Sequence, residues 1–187
     1  MSTQHEIVKN TTETYSLRGD KCLWAKINLD INQQSVNVMI SSDYGSYNYY
    51  WTHCGISPKK FLISLDMHYA MKKLMGGTDN LYQPDWEGRS VSLKKIIIDA
   101  RRDTRLSKDE AKKAWREIVN IMHDSNDENL YYERIWNHEL ADKLFYDMED
   151  IPVDTKLKSS VTDFWEDIWI PFTKYLKTEI EQEKIAS

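Results

Sequence analysis

The hydrophobic period of this chain changes once, at Gly55, and that change constrains the fold more than any other feature. Before it, Leu23, Ala25, Ile27, Leu29 and Ile31 alternate with Trp24, Lys26, Asn28 and Asp30. A period of two sends successive side chains to opposite faces and marks a half-buried strand. Asn32-Gln33-Gln34-Ser35 is a polar turn, and Val36, Val38 and Ile40 resume the alternation. Asp43-Tyr44-Gly45 forms a second turn, with glycine free to take positive φ. Tyr47, Tyr49 and Trp51 then share one face of a third strand, with Ser46, Asn48 and Tyr50 on the other. Residues 4–18 offer a weaker fourth strand through Ile7, Tyr15 and Leu17. The expectation is an antiparallel sheet of three to four strands.

Beyond Gly55 the spacing becomes helical. Ser57-Pro58 puts a capping hydroxyl before a proline at the first helical position. That helix should carry Phe61, Leu62, Leu65 and Tyr69 inward and stop near Gly76-Gly77. Residues 78–89 read as a loop, suited to a mobile or recognising role. Four further helices follow. Leu93, Ile96, Ile97 and Ala100 line one over about 90–105, and Ser107 with Glu110 forms a capping box for the next. Its inner stripe should be Ala111, Trp115, Ile118 and Met122. Trp136, Leu140, Leu144, Phe145 and Met148 define a third after the polar link 124–129. Val161, Phe164, Trp165, Ile168, Trp169, Phe172, Leu176 and Ile180 define the last, where Pro171 should kink or break the run. Strands first and about five helices after them predict an α+β fold, not an alternating nucleotide-binding one. The 187 residues should form one domain (1–187) with three parts: a β-meander (1–55), helices with a basic face (56–123) and an acidic helical part (124–187).

Charge follows the same order. Residues 1–122 hold 18 Lys+Arg against 14 Asp+Glu, and residues 123–187 hold 7 against 16, giving the formal net charge of −5. Such a chain is a poor general binder of nucleic acid, although a local basic face can still meet phosphate. Two cysteines cannot make a disulfide framework and fit a reducing cytoplasm. The polar start lacks the apolar stretch of a secretory signal, and no apolar run is long enough for a membrane span.

No pattern supplies catalytic chemistry. His53, Cys54, Cys22 and His68 lack the paired spacing of a zinc site, and adjacent strand residues point to opposite faces. There is no nucleophile elbow, and the double glycine closes a helix instead of opening one onto a phosphate. Neither enzyme activity nor a metal or other cofactor is expected. Two surfaces are left. One is basic: Arg101, Arg102, Arg105, Lys112 and Lys113 could hold phosphates while Tyr44 and Tyr50 stack on bases. The other is acidic: Asp142, Asp147, Glu149, Asp150, Asp163, Glu166 and Asp167 could fill a partner's nucleic-acid groove by charge. The aromatic stripe of the last helix should close the chain's own core, with the seam of a homodimer as the alternative to a monomer.

The run Val36-Asn-Val-Met-Ile-Ser-Ser-Asp-Tyr-Gly-Ser-Tyr-Asn-Tyr-Tyr-Trp51, with Phe61-Leu-Ile-Ser-Leu-Asp-Met-His-Tyr69 after it, resembles small uncharacterised proteins of bacteriophages and prophages. The likeness covers about residues 23–75, with a weaker echo over 90–119, and leaves the acidic last third unmatched. It implies a phage accessory protein in the cytoplasm of a bacterial host. Small phage proteins of this kind include inhibitors of host defence, among them anti-CRISPR proteins. The resemblance therefore implies a protein that binds and inhibits a host protein, such as a defence nuclease complex, with nucleic acid as a secondary partner.

Overall fold

A computed structural model describes residues 9–20, 23–124 and 127–186. Of the sequence expectations, Ile7, Cys22 and the side chain of Met122 lie outside the described residues. The chain divides into two compact units, the first formed by Met1–Leu81 with Leu157–Ser187 and the second by Tyr82–Lys156. The architecture is α+β, an antiparallel four-stranded sheet followed by helices.

In the first unit, strands β1 (Glu13–Arg18), β2 (Trp24–Asn32), β3 (Ser35–Ser42) and β4 (Gly45–Trp51) pair in chain order. The register sets Tyr15 opposite Ile27, Ile27 opposite Ile40 and Ile40 opposite Tyr47, so the alternating apolar residues form one continuous face. The hairpin tip has the expected chemistry: Gly45 takes φ 118° and Asp43 Oδ2 accepts the Trp24 backbone N–H at 2.8 Å. The Tyr47 hydroxyl bonds the Tyr44 carbonyl and closes the turn from the inner face.

The helix expected after Gly55 is two helices, α1 (Pro58–Ser64) and α2 (Met67–Leu74). Pro58 begins the first, but Ser57 makes no capping bond. Asp66 begins the second by accepting the Tyr69 N–H at 2.9 Å, because its carboxylate satisfies an amide that the broken ladder would leave orphaned. That restart changes the helical phase. Tyr69 consequently faces solvent and Leu65 is only half-buried, while Ala70, Met71 and Leu74 are buried. Gly76 and Gly77 end α2 at positive φ, as expected. Residues 78–89 are not a loop: they form a 3₁₀ turn (Asp79–Leu81), strand β5 (Tyr82–Pro84) and the start of α3 (Trp86–Arg102).

The last helical run enters through α7 (Ser159–Phe164), passes a π-turn (Trp165–Trp169) and continues as α8 (Ile170–Ala186). Pro171 cannot donate, and its ring would collide with the carbonyl four residues back in a regular helix. The wider π-turn, in which the Ile170 N–H reaches the Trp165 carbonyl, absorbs that clash without ending the run. Phe164, Ile168, Trp169, Phe172 and Leu176 are buried, and Tyr47 meets Phe164 edge-on at 5.0 Å. This aromatic stripe lies in the core of its own unit.

The second unit packs α3, α4 (Lys108–Asp124), α5 (Glu128–Trp136) and α6 (Ala141–Leu144) around Leu93, Ile97, Ile118, Tyr131, Ile135 and Leu144. Strand β6 (Thr155–Leu157) pairs with β5. The single helix expected through 136–148 is interrupted twice, and Met148 sits exposed on a 3₁₀ turn (Met148–Asp150). Arg89 is wholly buried in this unit. Its Nη2 lies 2.5 Å from Glu128, its Nε donates to the Asp154 carbonyl at 3.1 Å, and the rings of Trp86 and Tyr131 face its guanidinium at 4.9 and 5.1 Å. A buried charge needs such partners, and rings contribute through their negative faces.

Candidate functional site

The two longest helices of the second unit meet in a tight hairpin. The α3 ladder ends with the Asp103 N–H on the Asp99 carbonyl, and the chain reverses through Thr104 at φ 64°. Leu106 donates back to the Ala100 carbonyl at 3.1 Å and is buried. The capping box forms as expected: the Ser107 N–H reaches Glu110 Oε2 at 2.7 Å, and the Glu110 N–H reaches Ser107 Oγ at 3.3 Å. The end of α3 is thereby held antiparallel to the start of α4.

Outside this hairpin lies an open groove of about 670 Å³. Its floor is apolar, from Ile97, Ile98, Ala111 and Trp115. Arg101, Arg102, Lys112 and Arg116 line its margin, with one carboxylate, Asp109. Trp115 is 40% exposed although the sequence placed it inward. At 100° per residue, Ala114 and Ile118 take the buried face of α4 and Trp115 is carried round onto the groove. The Lys94 ammonium sits 5.7 Å from the Trp115 ring centre. Arg102 reaches Asp99 at 3.5 Å and Lys112 reaches Asp109 at 4.0 Å, exposed pairs that bind weakly. Arg101 and Arg116 make no ion pair with any described residue.

The other proposed site residues are dispersed. Arg105 donates to the Lys143 carbonyl at 2.8 Å and Lys113 lies 2.6 Å from Glu139, a bond that raises the lysine's pKa. Both tie α4 and its entry to α6 or the link before it. Tyr44 and Tyr50 belong to the first unit. The Tyr44 hydroxyl donates to Asp167 at 2.6 Å, which pushes its pKa up to about 12, while Tyr50 stands exposed on the solvent face of the sheet.

The seven acidic candidates divide between the units, with Asp142, Asp147, Glu149 and Asp150 in the second and Asp163, Glu166 and Asp167 in the first. Several are occupied locally. Asp147 accepts the Glu149 and Asp150 N–H groups, Asp150 accepts that of Tyr146 at 2.8 Å, and Asp167 holds Tyr44. No described group of His, Cys, Asp and Glu could hold a metal, and no described helix is long and apolar enough to cross a membrane.

The sequence singles out Arg101, Arg102 and Lys112 for their charge, but it does not mark Ile98 and it places Trp115 inward. The available signal was the choice between two α4 stripes, Ala111–Trp115–Ile118 and Ala114–Ile118, which share Ile118 and differ by the direction of one indole. No curated protein and no solved structure matches the chain. A family model described as a phage family matches residues 5–177, far more than half of the sequence. The chain therefore belongs to a bacteriophage protein family.

Proposed function

We propose that this phage protein acts by binding a protein of the infected bacterium and inhibiting it, and that the α3–α4 groove is the surface that binds. The observation carrying this reading is a mostly aliphatic floor beneath a four-cation margin. Magnitudes then select the ligand. Exposed ion pairs contribute about 0.2–1 kcal/mol each. The four groove cations therefore supply at most about 4 kcal/mol, half of what a ~1 μM complex needs. An apolar side chain seated on Ile98 and Trp115 adds about 1.5–3 kcal/mol. The fitting ligand is an acidic segment with an apolar anchor.

Single-stranded nucleic acid fits less well, since bases stack on aromatic faces and this floor has one indole, already approached by Lys94. The acidic mimicry route has less support than the groove, because its seven carboxylates split between units.

The test is a pull-down from host lysate, with and without nuclease, using the wild type and an Arg101→Glu/Arg102→Glu/Lys112→Glu variant. A photo-crosslinking residue at Ile98 reports contact at the groove itself. A host protein retained after nuclease, cross-linked at position 98, lost by the variant and reduced in activity when the phage protein is added supports the reading. Capture that disappears with nuclease assigns the groove to nucleic acid. Equal capture by the variant removes the groove from the interface.

A further inference from the structure

We infer that the groove of one copy takes the acidic turn Tyr146–Asp150 of a second copy, so that the chain associates with itself head to tail. The inference rests on reading the groove as a site for acidic segments with an apolar anchor, and it names one such segment.

Tyr146 is 89% exposed, the highest value for a large hydrophobic side chain among the described residues, and Met148 two positions on is also exposed. Between and beyond them stand the carboxylates of Asp147, Glu149 and Asp150. The turn is held in shape before any partner arrives. Asp147 Oδ1 accepts the N–H groups of Glu149 and Asp150 at 2.8 and 3.2 Å, and Asp150 Oδ2 accepts those of Tyr146 and Asp147 at 2.8 and 3.4 Å. Phe145 and Ile151 are buried on either side and anchor it. A segment already ordered loses little entropy on docking. Its composition, apolar anchors among carboxylates, complements an apolar floor between arginines and lysine.

The turn does not serve its own chain's groove. Glu110, Lys113 and Glu117 on α4 bond Lys143, Glu139 and His138. At 3.6 residues per turn, these three positions lie roughly opposite Lys112, Trp115 and Arg116 on the helix. The turn that follows Lys143 thus leaves from the far side of α4. Groove and turn are different patches, so the contact is heterologous: each added copy presents a fresh groove, and the assembly grows or closes into a ring.

Sedimentation velocity on the full chain, from micromolar to sub-millimolar protein, tests this. The mass should rise with concentration at low salt and fall back toward the monomer at high salt, where exposed charges are screened. Tyr146→Ser/Glu149→Lys damages the turn and spares the groove, whereas Arg101→Glu/Arg102→Glu damages the groove and spares the turn. Each variant alone should associate about tenfold more weakly or worse, at about 1.4 kcal/mol per tenfold. An equimolar mixture of the two should form heterodimers that stop at two, because only one intact groove meets one intact turn. Circular dichroism confirms that both variants are folded, and Met148→Ser/Glu149→Lys replaces the first pair if it is not. A wild type that stays monomeric throughout, or a mixture that forms no dimer, overturns the inference. The cross-link at Ile98 to a host protein judges the groove reading separately, so the two can fail independently.

Discussion

In the first unit the ammonium of Lys59 lies 2.8 Å from Glu13, 3.0 Å from Glu179 and 3.9 Å from Glu183, joining α1, β1 and α8. Burial works to lower its pKa, and the bonds to Glu13 and Glu179 outweigh burial and raise it. In the second unit Arg89 is also held by partners and is wholly buried, but Arg101 and Arg116 stand over an apolar groove with no described carboxylate on either. The first unit uses its partly buried Lys59 for cohesion, and the second keeps other cations on its surface. Cores differ as well. Rings meet rings in the first unit, from Tyr47 on Phe164 to Trp165 stacked on Trp169 at 5.8 Å, whereas in the second the rings of Trp86 and Tyr131 gather round one guanidinium beside a largely aliphatic core. Similar residue types thus serve cohesion in one unit and recognition in the other, according to what surrounds them.

The first unit's aromatic core depends most on Trp169. It is almost fully buried against Phe172 and Trp165, so Trp169→Ala should cost about 3–5 kcal/mol in urea unfolding. A loss under about 1 kcal/mol would show that the π-turn does not close the first unit's core. Arg89→Met comes next. It removes a buried charge and leaves Glu128 unpaired but half in water, so roughly 3 kcal/mol is expected by the same measurement.

Lys59→Met should cost about 1–3 kcal/mol, since Glu13 and Glu179 lose their shared partner. Glu110 sharpens the second unit's side through pH. Its bond to Lys143 at 2.5 Å, then those to Ser107, lower its pKa from the ordinary 4.5 to about 2. A carboxylate lowered in the folded state stabilises fully above its unfolded value and loses that contribution as pH falls toward 2. The stability gap between wild type and Glu110→Gln should therefore be widest above about pH 5 and close during acid titration. Arg101→Glu/Arg102→Glu should change stability by less than about 0.5 kcal/mol, because neither side chain supports the fold. A large loss there would mean that the groove's cations are structural, as Lys59 is.

Where one local rule governs, the structure was legible in advance. Strands β2 to β4, the Asp43–Gly45 tip, the Gly76-Gly77 stop and the Ser107–Glu110 box all follow from neighbours a few residues apart. The break at Asp66 was not, because an unbroken apolar spacing through Leu65 and Tyr69 competes with a single capping carboxylate. Nor was the order of 78–89, whose β5 strand requires a partner more than seventy residues away in β6.

The candidate site divides along the same line. Its charges could be read from the chain, since Arg101, Arg102, Lys112 and Arg116 cluster along two adjoining helices. Its groove could not, because one indole's direction decides whether Trp115 is core or surface, and that choice depends on which α4 stripe α3 and α5 cover. The acidic set shows the reverse case: seven carboxylates close in sequence are parted between two units and partly used as caps. Sequence alone determined the α+β order, the sheet's inner face and the placement of charge along the helices, because period and capping are short-range effects. Tertiary structure decided which cations are paired, which turn is rigid and which aromatic is exposed, because burial depends on contacts between residues far apart in the chain.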